Sequence, residues 1–116
     1  MVVKRIVPNF THNDPVEAAR FYQSLFDLDI VMDHGWIVSL ASKEATTPQI
    51  SVASQGGSGT AVPSVSIEVD NVDRVYEKAL KLGADIVYDI TDEDWGVRRF
   101  YVRDPSGMIL NVLSHM

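Results

Sequence analysis

The stretch VSIEVDNVDRVYEKALKLGADIV (65–87) decides how the chain folds, because one run holds a strand, a helix and the start of a second strand. Val65, Ile67 and Val69 alternate with Ser66 and Glu68, the period-two pattern of a strand with one wet face. Asp70 is placed to cap the following helix. Val72, Val75, Tyr76, Ala79 and Leu80 fall at helical spacing as its inward face, and Gly83 supplies the stop. The chain extends again from Asp85-Ile86-Val87.

The same order occurs earlier in the chain. Val7-Pro8 corresponds to Val62-Pro63, and Asp29-Ile30-Val31 to Asp85-Ile86-Val87, an offset of roughly 55 residues. A strand over 4–11 precedes a helix capped by Asp14, with Pro15 in its first turn, Glu17 near its positive end, and Val16, Ala19, Tyr22 and Phe26 facing inward. Strands at 29–33, 36–41 and 49–54 follow, punctuated by His34-Gly35 and Pro48. The second copy has strands at 63–69, 85–90, 97–103 and 108–114, the last two joined by the turn DPSG at 104–107. Two copies make a paired module and not a solenoid, which needs three or more units. The pattern predicts an α+β fold of two βαβββ modules in one domain: module one about 1–54, a linker about 55–62 and module two about 63–116. The glycines of SQGGSGTA (54–61) lack the following GK[ST] and helix of a phosphate cradle, so this segment is a linker. Paired half-domains offer a cleft, where small molecules bind.

Composition narrows the class. The 116 residues are 46% apolar and 22% charged, as in ordinary globular domains, and suffice for one core. With no cysteine, neither a disulfide framework nor thiolate chemistry is available. A net charge of -6 argues against nucleic acid or an anionic membrane as partner. The N-terminal MVVKRIVPNF has no long apolar core of a secretory signal, and no run approaches membrane-spanning length, so a cytoplasmic location is expected.

Alternation assigns faces. Ile6, Pro8 and Phe10 oppose Arg5, Val7, Asn9 and Thr11; Ile50 and Val52 oppose Gln49, Ser51 and Ala53; Val65, Ile67 and Val69 oppose Ser64, Ser66 and Glu68. The apolar faces are expected to carry the helices on the outside. The other faces are polar but rich in short uncharged groups, which suits a ligand-filled cup better than a face in bulk water, where Lys, Glu and Arg are commoner.

The stretch DWGVRRFYVRDPSGMILNVLSH (94–115) resembles the glyoxalase/bleomycin-resistance/dioxygenase superfamily, its VRDPSGMILNV portion matching the strand–turn–strand that ends that family's modules. VPNFTHNDPVEAARFY (7–22) looks like the family's opening strand and helix, and 65–87 like the second copy. The resemblance implies modules whose mixed sheets curl into a cup, often completed by a homodimer. Metalloenzymes of the superfamily hold a divalent ion through histidines on matching strands and a glutamate on the final strand. On that pattern this chain has Val7, Ser64 and Asn111, with Gln49 or Ser51 near a fourth position. Valine donates nothing, and neutral Ser and Asn are poor ligands for Zn²⁺ or Ni²⁺, so no metal, no cofactor and no catalytic residue is expected. His12, His34 and His115 fall at loop or terminal positions and read as surface histidines; Glu68 remains as a lone ligand or general base.

The binding apparatus is then aromatic and polar. Trp36 after Gly35 and Trp95 before Gly96 resemble cleft aromatics of the bleomycin-binding proteins, which stack on planar parts of the drug. Arg98, Arg99 and Arg103 cluster in an acidic chain, with Arg99, Tyr101 and Arg103 on one face of their strand. An arginine entering the cup suits an anionic ligand group; the alternative is an outer face paired with Asp92, Glu93 and Asp94. Asn111, flanked on its own face by Ile109 and Leu113, needs hydrogen-bond partners if buried. The expected ligand-binding set is Asn9, Trp36, Gln49, Ser64, Ser66, Glu68, Trp95, Arg99, Tyr101 and Asn111. The rival reading is a lyase, isomerase or dioxygenase with an unusual metal site around Glu68, Gln49 or a histidine. A third is a scaffold whose cup is only a dimer interface.

Overall fold

The computed structural model of the chain describes residues 1–43 and 49–116. Pro48, expected to punctuate the first module, lies outside them. In chain order the elements are β1 (Val3–Thr11), α1 (Pro15–Phe26), β2 (Asp29–Asp33), β3 (Ile37–Ala41), β4 (Gln49–Ala53), β5 (Val65–Val69), α2 (Val72–Lys81), β6 (Asp85–Asp92), β7 (Val97–Arg103) and β8 (Ile109–His115). This is the α+β arrangement of two βαβββ modules. The chain divides into two compact units, Val7–Val62 and Met1–Ile6 with Pro63–Met116, so the start of β1 belongs with the second.

In the unit Val7–Val62 the strand order is β2-β3-β4-β1. β1 runs parallel to β4, with Asn9 opposite Ser51, and β3 runs antiparallel to β4, with Ser39 opposite Ser51. Asp14 caps α1 by accepting the Glu17 N–H at 3.3 Å, which stabilises a helix by about 1 kcal/mol. The core is Ala19, Val38, Leu40 and Val52, with Val16, Tyr22, Leu28 and Ile50 packed around it. Phe26 was expected inside and is 60% exposed. The helix ends there, Asp27 turns left-handed at φ 54°, and Leu28 enters the core instead. Phe10 stacks on Tyr22 with centroids 5.7 Å apart, as the alternation of β1 implies.

In the other unit β8 lies between β5 and β7, β6 is the outer strand, and the start of β1 runs beside β5. β5 and β8 are parallel; β8, β7 and β6 are antiparallel. Val69, Val72, Ala79, Phe100 and Val112 form the core, joined by Ile67, Val75, Tyr76, Ile86 and Val102. Two expectations for α2 are corrected. Its cap is Asn71, whose side chain accepts the Arg74 N–H at 3.2 Å, while Asp70 accepts the Val2 N–H at 2.8 Å. Leu80 is 53% exposed, because α2 meets the sheet through Val72, Val75, Tyr76 and Ala79 and rolls Leu80 outward. Ile6 is also outside, at 59% exposure: α2 lies chiefly over β6, β7 and β8, leaving the start of β1 beyond its cover. Gly83 at φ 67° follows α2, where a residue with a β-carbon is strained. Among the described residues no helix is long and apolar enough to cross a membrane.

Candidate functional site

The chemistry of the unit containing β5 to β8 gathers on the sheet face opposite α2. Register builds it. Ser66 is opposite Asn111, Asn111 opposite Tyr101, and Tyr101 opposite Tyr88, giving one transverse row. In the next row Glu68 is opposite Leu113, and Leu113 opposite Arg99. Phe100 points to the helix side as core, so its neighbours Arg99 and Tyr101 point to this face.

Arg99 is the centre of the constellation. Its Nε donates to Glu93 Oε2 at 2.6 Å, and both side chains are only 4% exposed. A second guanidinium nitrogen donates to the Tyr101 hydroxyl at 2.9 Å, and the Tyr88 hydroxyl reaches both Glu93 oxygens at 3.2 and 3.3 Å. The guanidinium carbon lies 4.9 Å from the Trp95 and Tyr101 centroids and 5.3 Å from that of Tyr88. Three ring faces therefore solvate a cation that the fold has removed from water. The arginines divide by face: Arg98, on the helix side, bonds Asp73 and Asp92, and Arg103 bonds Asp85. The alternative pairing with the 92–94 acids occurs at Arg98 with Asp92 and at Arg99 with Glu93, but the Arg99 pair is buried and not an outer face.

Beside it, Asn111 Nδ2 donates to Ser66 Oγ at 3.0 Å. Asn111 is 8% exposed, and its Oδ1 has no hydrogen-bond partner among the described residues. A buried acceptor left unmet costs about 1–3 kcal/mol, so its presence calls for an explanation.

Glu68 is held from two sides. Arg5 Nε lies 2.9 Å from Oε1 as a charge contact, and His115 Nδ1 lies 2.7 Å from Oε2. Burial raises the Glu68 pKa, but the His115 hydrogen bond and the Arg5 charge outweigh it, and the carboxyl sits below its ordinary range. His115, read from sequence as a plain surface histidine, is thus a partner of Glu68.

Ser64 precedes β5 and is exposed, its N–H bonded to the Ile109 carbonyl at 2.9 Å. Asn9, Trp36 and Gln49 belong to the unit Val7–Val62. There Trp36 stacks on His34 at 6.3 Å, and the row equivalent to Ser66–Asn111–Tyr101 is Asn9–Ser51–Ser39, with the two serine hydroxyls 2.7 Å apart. Sequence reasoning left Glu93, Tyr88 and Arg5 out of the site. The carboxylate in the turn before β7 was a readable signal; Tyr88 was not, because β6 shifts register on both sides of it.

Donor chemistry decides whether a catalytic metal fits. Val7 is a buried hydrocarbon, Ser51 is engaged with Ser39, and Asn111 is a neutral amide engaged with Ser66. Among the described residues no group of three or more His, Cys, Asp or Glu is placed to hold an ion. Taken one by one, none of the Val7, Ser51 and Asn111 side chains is a donor suited to Zn²⁺ or Ni²⁺.

The fold and this face define a paired βαβββ protein with a polar, aromatic-lined sheet surface. The chain belongs to the Glyoxalase/Bleomycin resistance protein/Dioxygenase superfamily, whose family model matches residues 5–112. Solved structures share the fold. A Legionella pneumophila protein described as an NAD-dependent benzaldehyde dehydrogenase matches at TM-score 0.79 and 17% identity, over 97% of this chain and 100% of that one. A superfamily member from Vibrio splendidus matches at 0.64 and 15%, over 97% and 99%. Methylmalonyl-CoA epimerase from Streptomyces coelicolor matches at 0.74 and 12%, over 98% and 96%. None of the curated proteins compared matches the sequence.

Proposed function

We propose that this chain is a small-molecule-binding member of its superfamily that works without a metal, sequestering a drug or metabolite. The observation that carries the reading is the polar and aromatic group on the face opposite α2: the buried Glu93, Arg99, Tyr101 and Asn111 with the half-buried Tyr88 and Trp95. A sheet face with only a structural task is filled more cheaply with hydrocarbon, since buried ionic and amide groups cost desolvation. Trp95 and the tyrosines suit contact with a planar ligand. A homodimer in the cytoplasm is part of the same proposal. Large side chains left wet, such as Val3, Phe21 and Leu25, support the dimer, and sedimentation of the purified protein tests it.

The experiment is a thermal-shift screen with divalent metals and with planar compounds, followed by metal analysis of the protein. Planar compounds are expected to raise the melting temperature, and Trp95→Ala to abolish that rise. Stoichiometric tightly held metal, with loss of stability on chelation, would overturn the reading. That outcome would favour the second reading, a metal-dependent isomerase or lyase built around Glu68 and His115, whose 2.7 Å contact is its supporting observation.

A further inference from the structure

Resting on the ligand-binding reading, we propose the chemical class of the ligand: an uncharged molecule whose N–H or O–H donor is accepted by Asn111 Oδ1, and not a carboxylate or phosphate. Two independent observations meet here. Asn111 is more than nine-tenths buried on the candidate face and keeps an acceptor with no partner among the described residues, while its amide nitrogen is committed to Ser66. An acceptor in that state is completed by a donor brought from outside.

The charge pattern selects against anions. Each arginine on this face has an acid of its own: Arg99 has Glu93, Arg5 has Glu68 and Arg103 has Asp85. An anionic ligand drawn to Arg99 competes with Glu93 for the guanidinium, and one that displaced it would strand a carboxylate that is 4% exposed. An anion set against Asn111 Oδ1 finds an acceptor facing an acceptor. A neutral amide, lactam or phenol meets neither penalty. It donates to Asn111 and lays its flat part against Trp95 or Tyr101.

Benzamide, N,N-dimethylbenzamide and benzoate separate these terms, because they share a ring and differ in donor and charge. Titration of the intact protein, followed by the Asn111 side-chain amide in a nitrogen-15 correlation spectrum, reads both affinity and place. Benzamide is expected to shift that signal and to bind about tenfold or more tightly than either analogue. Asn111→Leu, followed instead through the backbone amides of Ser66 and Tyr101, is expected to remove the preference. Equal binding of the three, or preference for benzoate, overturns the ligand class while leaving the ligand-binding reading intact. A preference for benzamide that persists in Asn111→Leu also overturns it, because the donor is then accepted elsewhere. If none of the three perturbs this face at millimolar concentration, the class and the binding reading fall together.

Discussion

Arg99 and Glu93 meet at 2.6 Å with both side chains out of water, the most deeply buried ion pair among the described residues. Removing one partner leaves the other as a buried, uncompensated charge. Arg99→Met and Glu93→Gln should each destabilise by about 3–5 kcal/mol, whereas the double variant Arg99→Met/Glu93→Leu should recover a large part of the loss. Urea unfolding of the three variants measures this. Single-variant losses no larger than that of Arg20→Ala, whose ion pair with Glu17 is solvent-exposed, would contradict it.

Glu68 links stability to acid. Its folded-state pKa is depressed, so the stability it contributes is present above the ordinary glutamate value of about 4.3 and is lost as the pH falls through the lower folded-state value. The gap in melting temperature between the wild type and Glu68→Gln should shrink as the pH falls below about 4. A gap that widens on acidification has the wrong sign for this account.

The two neighbours at the start of α2 have different tasks. Asn71→Ala should cost about 1 kcal/mol through loss of the cap on the Arg74 N–H. Asp70→Ala should instead loosen the chain start, seen as faster amide exchange at Val2, whose N–H it holds. Equal helix loss in both variants would show that Asp70 shares the cap.

Phe100 is fully buried and meets Tyr76 edge-on at 5.2 Å. Phe100→Ala should cost about 3–5 kcal/mol, while Leu80→Ala on the same helix–sheet layer should stay within about 0.5 kcal/mol. Comparable losses would mean that α2 sits rotated from the position described.

Much of this fold is legible in the chain because period and punctuation are local. The strand at 97–103 and the Asp14 cap follow from a handful of adjacent residues. The errors fall where geometry between elements decides. Phe26 and Leu80 share their helices' apolar spacing, yet lie past the edge of what each helix covers. The candidate site was readable in its membership of Arg99, Tyr101, Ser66 and Asn111, since alternation puts them on one face. It was not readable in its pairing. His115 and Glu68 are far apart in sequence and meet only across the sheet, and the register shifts of β6 break the counting that would have placed Tyr88.

Those same shifts in β6 have an effect beyond Tyr88. As the outer strand of its unit, β6 would otherwise present an even ladder of unpaired amides and carbonyls, a template on which a foreign strand can dock. Interrupted between Ile86 and Tyr88 and again between Tyr88 and Thr91, that margin cannot be copied in register, and the irregularity that seats a site tyrosine also guards the molecule against edge-on aggregation.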